Sequence, residues 1–299
     1  MKVIIDTDPG LDDAVAILYA LGEPGFDVQA IASVAGNIGL ARTTDNALRL
    51  LAVRGATVPV LTGASGPLAG AGRSEEAIHG ADGLGGVTLP APLAEALPDA
   101  VGFMAARLMA EPAGSLTILA LAPLTNLALL ARDHPEAFAR LGGIIAMGGT
   151  IHETGNAGPY AEFNMAADAL AADIVLGAGV PFTLIPLDVT RQFRATPADL
   201  AELRDSGTPA ATTAARLIEA YFAGSTRESR PLHDPCVMLL ALAPGLFSTR
   251  PMRLRVDCAE HPGRLVPDDS RPLIQVAMGI DAEVARRMLW AGLCRPVSG

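Results

Sequence analysis

Near its start the chain reads Val3-Ile4-Ile5-Asp6-Thr7-Asp8-Pro9-Gly10-Leu11-Asp12-Asp13-Ala14, which sets four carboxylates around one Pro-Gly turn. Like charges held a few ångströms apart repel and raise one another's pKa, so such a cluster needs a positive partner. No Lys or Arg lies between Lys2 and Arg42, and the economical partner is a metal ion. All-oxygen ligation selects a hard cation, Ca²⁺ or Mg²⁺. One or two acids would read as a helix cap or solvated loop residues; four around a turn favour a site.

The elements around the cluster place it. Val3 to Ile5 is a continuous β-branched run, as expected of a strand buried on both faces, and Pro9-Gly10 forces a turn. Asp6 and Asp8 are expected to leave the strand end on the same side. Asp12 and Asp13 open a segment, Ala14 to Leu21, with helical spacing, where the macrodipole favours negative charge. The four carboxylates should converge on a crevice at the carboxyl end of a strand, where open α/β sheets bind ligands.

Further along, strands are expected at Asp27–Ala35, Val58–Leu61, Leu116–Leu121, Gly143–Met147 and Phe182–Leu187. Helices are expected at Leu40–Arg54, Ala94–Glu111, Leu124–Ala131 and Ala167–Leu176. Gly63 to Pro90, which carries His79, reads as a long surface loop. Pro197 to Phe222 reads as two helices, the second from Ala210, and Ala223 to Leu232 as a polar loop containing Arg227 and Arg230. Cys236–Leu242 and Ala282–Leu293 read as helices, with short edge strands at Met252–Val256, Gly263–Val266 and Leu273–Val276. The alternation calls for an α/β fold, an open, mostly parallel sheet flanked by helices. No repeat or linker divides residues 1–299, so one domain is expected.

Half of the 299 residues are hydrophobic and 18% are charged, enough for a large core. A formal net charge of −10 argues against nucleic acid or an anionic membrane as partner, since both need a basic face. Cys236, Cys258 and Cys294 are odd in number and scattered, which suggests reduced, mostly buried thiols in a cytoplasmic protein. Asp6 and Asp8 interrupt the apolar start, so no secretory leader is expected. No apolar window reaches the length of a membrane span, because Pro123 and Asn126 divide the nearest one.

Six blocks, in order, resemble the nucleoside hydrolase family, of the inosine-uridine preferring type: Asp6 to Ala14, Gly36-Asn37, Ile78-His79-Gly80, Pro123-Leu124-Thr125-Asn126, Gly155-Asn156 with Ala161-Glu162-Phe163-Asn164, and His233-Asp234-Pro235. A single Asp-x-Asp carries little weight, whereas six ordered blocks over most of the chain are specific. The resemblance implies hydrolysis of the N-glycosidic bond of ribonucleosides, with Ca²⁺ as cofactor and a homodimer or homotetramer as assembly. It implies that Asp8 is the general base and touches the ion, and that Asp13, Asp234 and the carbonyl of Thr125 ligate it. Asp12, Asn156, Glu162 and Asn164 would hold the ribose, with Asn37 supporting both metal and sugar. His79 and His233 would flank the base, with Met147 and Tyr221 also on the substrate side.

That chemistry suits these residue types. Breaking the ribosyl C–N bond leaves positive charge on the sugar, which a negative cradle stabilises more than it stabilises the substrate. Asp8 would take the proton of the attacking water, and His233 would protonate the departing base. Tyr221 is the only Tyr in the segment before His233, with Arg227 and Arg230 nearby, so purine against pyrimidine preference stays open. Asp234 before Pro235 could equally be a helix cap, and Thr125 or Asn126 could cap another. His134, His152 and His261 read as surface residues. A metal-dependent phosphatase also begins strand-Asp-x-Asp, but wants Thr or Val four residues after its nucleophile, where Gly10 and Asp12 stand here. A non-catalytic nucleoside-binding protein is the third reading.

Overall fold

The computed structural model describes residues 1–223 and 228–296. Its strands are β1 (Lys2–Thr7), β2 (Asp27–Ser33), β3 (Val60–Thr62), β4 (Leu116–Ala120), β5 (Gly143–Met147), β6 (Phe182–Ile185), β7 (Arg194–Ala195), β8 (Arg230–Pro231), β9 (Phe247–Val256), β10 (Leu265–Pro267) and β11 (Leu273–Ile280). Nine of them form one sheet in the order β10-β9-β11-β6-β5-β4-β1-β2-β3, and β7 and β8 form a separate ribbon. Strands β1 to β6 run parallel and β11 joins β6 in parallel; β9 and β10 are antiparallel.

The helices are α1 (Leu11–Gly22), α2 (Leu40–Arg54), α3 (Glu76–His79), α4 (Ala100–Ala110), α5 (Thr125–Asp133), α6 (Pro135–Phe138), α7 (Phe163–Ala167), α8 (Ala169–Gly177), α9 (Leu187–Thr190), α10 (Pro197–Asp205), α11 (Pro209–Phe222), α12 (Pro235–Leu242) and α13 (Ala282–Leu293). Val3 and Ile5 point into a core built with α1, α11, α12 and α13, while Ile4 points into the opposite core with α4, α5 and α8. Alternate side chains of one strand thus feed two cores, which is why β1 reads as a continuous apolar run. The chain winds from β1 through β2 to β3, then returns to β4 on β1's other side and continues outward. Strand order therefore reverses beside β1, and ligands bind at the carboxyl ends of strands at such a point.

Several boundaries differ from the sequence reading for local reasons. Helix α4 starts at Ala100, not Ala94, because Leu97 runs beside β3, donating to Val60 O and accepting from Thr62 N (both 2.8 Å). That segment covers the edge of the sheet, and Asp99 then caps α4 through Gly102 N at 2.9 Å. The expected helix Ala167–Leu176 is α8 and starts at Ala169, because the Asp168 side chain caps it there and Ala167 ends α7. The expected loop Gly63–Pro90 contains α3, and the loop Ala223–Leu232 contains β8. Arg227 lies outside the described residues. Cys236 is buried, Cys294 intermediate and Cys258 exposed, so burial holds for the first alone. No described helix is long and apolar enough to cross a membrane.

Candidate active site

Asp8 follows the end of β1, and the Pro9-Gly10 turn brings α1 back beside it. Gly10 is required there, since a Cβ would stand 2.6 Å from Nδ1 of His79 and 2.8 Å from Nδ2 of Asn37. Asn37, from the loop after β2, donates its backbone N–H to Asp8 Oδ2 (2.6 Å). Its side-chain amide donates to Asp8 O (3.2 Å) and Asp13 Oδ2 (3.0 Å). Asp13 also accepts from Thr7 Oγ1 at 2.7 Å and Gly10 N at 3.0 Å. Among the described residues Oδ1 of Asp8 is buried with no hydrogen-bond partner.

Asp234 closes the cluster from the far end of the sequence. It stands at the N-cap of α12 but makes no side-chain capping bond. One carboxylate oxygen from each of Asp12, Asp13 and Asp234 lies within 4.8 Å of the others. Asp12 is also tied to this segment, accepting from His233 N at 3.2 Å. Burial, and then the charge of Asp13, hold the Asp8 carboxyl well above the usual range. Burial and Asp12 raise Asp13; burial and then Asp12, Asp13 and Asp8 raise Asp234. Groups that resist ionisation in this way, all oxygen donors, one with an orphaned atom, form a suitable seat for a divalent cation.

Asp6 departs from expectation. Like Asp8 and Asp13 it does not line the pocket, but unlike them it is engaged by the distant Asn126 side chain: its Oδ1 accepts from Asn126 Nδ2 at 2.7 Å, and burial pushes its pKa to about 7. Asn126 is not a cap but a brace, donating also to Ser33 O (3.2 Å) and accepting from Ala64 N (2.8 Å). Thr125 likewise does not cap α5; its hydroxyl donates to Asp168 Oδ2 at 2.7 Å.

The pocket above the acids is lined by Asp12, Asn37, His79, Met147, Asn156, Glu162, Asn164, Tyr221, His233 and Asp234. Glu162 precedes α7, where its carboxylate accepts from the backbone N–H groups of Gly149, Asn164 and Met165 at 3.0, 2.9 and 3.1 Å. Burial outweighs those three bonds and moves its pKa to about 7. Asn164, which lines the pocket, gives its Nδ2 to Leu121 O (2.8 Å) and Met147 O (3.3 Å), so both amide hydrogens are engaged on the backbone. Asn156 sits at the exposed rim and accepts from Phe163 N at 2.8 Å.

The family model for inosine-uridine preferring nucleoside hydrolases matches residues 3–287. The chain belongs to that family. A pyrimidine-specific ribonucleoside hydrolase, RihA, of Salmonella typhi is 39% identical over 256 residues, covering 83% of this chain and 82% of that one. Among solved structures, the purine-preferring ribonucleoside hydrolase from Gardnerella vaginalis is 31% identical with a TM-score of 0.92, covering 98% of both chains. A plant nucleoside hydrolase, PpNRh1, is 33% identical with a TM-score of 0.89, covering 99% of both. The protein is thus a ribonucleoside hydrolase, an N-glycosidase.

In this nucleoside hydrolase two rings, His79 and Tyr221, line the pocket beside the start of α1. His79 accepts from Leu11 N at Nδ1 (3.0 Å) and stacks on Tyr221, with centroids 6.2 Å apart and planes at 20°. The guanidinium of Arg230 lies over the other side chain of that pair, 5.2 Å from the Tyr221 centroid. Glu75, Ile78, Leu121 and Phe163 also line the pocket. Ile78 and Phe163 fell within sequence blocks already singled out, whereas nothing in the sequence marked Glu75. His134, His152 and His261 do not line it.

Proposed function

We propose that this nucleoside hydrolase cleaves the N-glycosidic bond of ribonucleosides with Ca²⁺ as its cation, Asp8 as general base and His233 as the group that aids the departing base. The observation that carries this reading is the buried, unpartnered Oδ1 of Asp8 beside the convergent acids Asp12, Asp13 and Asp234. Asp8, Asp13, Asp234 and the carbonyl of Thr125 would hold the ion, which when bound supplies positive charge that positions the attacking water and favours its deprotonation. Asp8 suits the base role because burial raises its proton affinity while Asn37 keeps one oxygen engaged and the other free.

Asp12, Asn37, Asn156, Glu162 and Asn164 offer acceptors and donors to the ribose hydroxyls, and their net negative character favours the sugar as positive charge develops. Burial, with the charges of Arg191 and Arg194, lowers the pKa of His233 to about 3. Near neutrality its imidazole is uncharged, and it aids the base by donating a hydrogen bond as negative charge builds there. Met147 and Tyr221 complete the walls. A homodimer or homotetramer, and a cytoplasmic location, complete the reading; they rest on the family resemblance and the three free thiols.

A phosphatase would need both acids of its Asp-x-Asp facing one phosphate, and Asp6 is engaged with Asn126 instead. The deciding assay supplies inosine, adenosine, uridine and cytidine separately and follows free base and reducing sugar. Release of both from at least one nucleoside, with p-nitrophenyl phosphate untouched, is expected. Binding without ribose release from any of them would leave a non-catalytic nucleoside-binding protein.

A further inference from the structure

We propose that Thr190 is a positioning residue for the departing base, its hydroxyl holding His233 in the tautomer whose Nε2–H faces the pocket. The proposal rests on the reading of His233 as the group that aids that base. Thr190 Oγ1 lies 2.7 Å from Nδ1 of His233, and Thr190 is fully buried. Among the described residues the hydroxyl has no second hydrogen-bond partner. If Nδ1 carried the ring proton, the hydroxyl would accept it and leave its own hydrogen buried without an acceptor, at a cost of about 1–3 kcal/mol. The satisfied arrangement has Thr190 donating to Nδ1, and the ring proton then stands on Nε2, the nitrogen left for the pocket.

The anchor is firm at both ends. Helix α9 is pinned by Leu187 N to Gly149 O at 2.9 Å, and the carboxylate of Asp188 accepts from the backbone of Ile151, His152 and Glu153 at 2.8, 2.7 and 3.3 Å. The His233 segment is pinned by Leu232 N to Phe193 O at 3.0 Å and by His233 N to Asp12 Oδ2 at 3.2 Å. With the backbone fixed, the Thr190 bond sets the ring's rotation and tautomer together. Loss of the hydroxyl frees the ring to present a lone pair to the base, which repels the charge that grows there as the C–N bond stretches.

The test compares Thr190→Val, close in shape but without the hydroxyl, with Thr190→Ser, which keeps it, and with His233→Ala. Each is assayed on inosine and on p-nitrophenyl riboside, whose phenolate leaves without a proton. Thr190→Val should lower kcat on inosine about ten- to a hundredfold, the range typical of outer partners that orient a functional imidazole, and change the p-nitrophenyl rate little. Thr190→Ser should restore the inosine rate. Two-bond ¹H–¹⁵N spectra, with His233 assigned by its absence in His233→Ala, should show the wild-type proton on Nε2. A wild-type proton on Nδ1, equal losses on both substrates for Thr190→Val, or no rescue by Thr190→Ser would overturn the proposal. An inosine-specific loss in His233→Ala without one in Thr190→Val would overturn it while the reading of His233 stands. No inosine-specific loss in His233→Ala would overturn both.

Discussion

The backbone N–H of Asn37 reaches Oδ2 of Asp8 at 2.6 Å, while Oδ1 of the same carboxylate remains buried and unpartnered. One oxygen is thereby fixed in place and the other left for chemistry. Asp8→Asn keeps the shape and the Asn37 bond but cannot take a proton. Its kcat should fall by about 10²–10⁴-fold, the usual contribution of a positioned base, with affinity for a ribose-bearing ligand nearly unchanged. Unchanged kcat would remove Asp8 from the base role, and an equally large loss of affinity would assign it to binding.

Removing the metal should abolish turnover, and Ca²⁺ should restore it better than Zn²⁺, because the convergent donors are carboxylate oxygens with no Cys or His among them. Ca²⁺ should also raise Tm of the stripped protein, since an ion bound by the folded state alone stabilises it. Full activity after exhaustive chelation, with no ion found by elemental analysis, would sink the idea.

Gly36→Ala should damage the site while sparing the sheet. A Cβ there would lie 2.0 Å from Oδ2 of Asp8 and 2.9 Å from Cδ of Pro123. The Asp8 carboxylate would have to swing out of its bond to Asn37. We expect at least a roughly tenfold loss of kcat with an unchanged far-UV spectrum and a stability cost of about 1–3 kcal/mol. Wild-type kinetics in this variant would mean that the Asp8 position is not critical.

Glu162 gives a pH signature. Its pKa rises from 4.5 to about 7 on folding because it is buried. Between those values the unfolded chain has released the proton that the folded protein keeps, so the folded state binds more protons and stability falls as pH rises across the window. Glu162→Gln has no such proton. In chelator, the Tm of the variant minus that of wild type should climb from pH 4.5 to 7 and then level off. A flat difference would show that the three backbone amides keep Glu162 ionised throughout.

The neighbourhood of Asp6 supplies a stability test. Asn126→Ala would strip the partners from Asp6 Oδ1 and Ala64 N together, while Ser33 O keeps its bond from Gly63 N at 3.0 Å. Leaving buried polar groups unsatisfied costs about 1–3 kcal/mol each, and partial relaxation should hold the total near 2–5 kcal/mol in denaturant unfolding. A loss below 1 kcal/mol would mean that the brace carries no load.

The sequence by itself determined the frame: a buried β-branched strand, a Pro-Gly turn and a helix opening on Asp12-Asp13 are local matters of backbone sterics and side-chain period. It also determined the family, because six short blocks in order carry the resemblance. What it could not determine was which acid faces which neighbour. Asp6 and Asp8 share a strand face by period, yet Asn126, 120 residues away, draws Asp6 out of the site. Asp234 carried every mark of a helix cap and instead joins Asp12 and Asp13. The hydroxyls of Thr125 and Thr190 had no readable role until the fold set Asp168 against one and His233 against the other. The physical reason is the same in each case. A polar side chain taken from water must find a partner, and that partner is set by packing between distant segments, not by its neighbours in the chain.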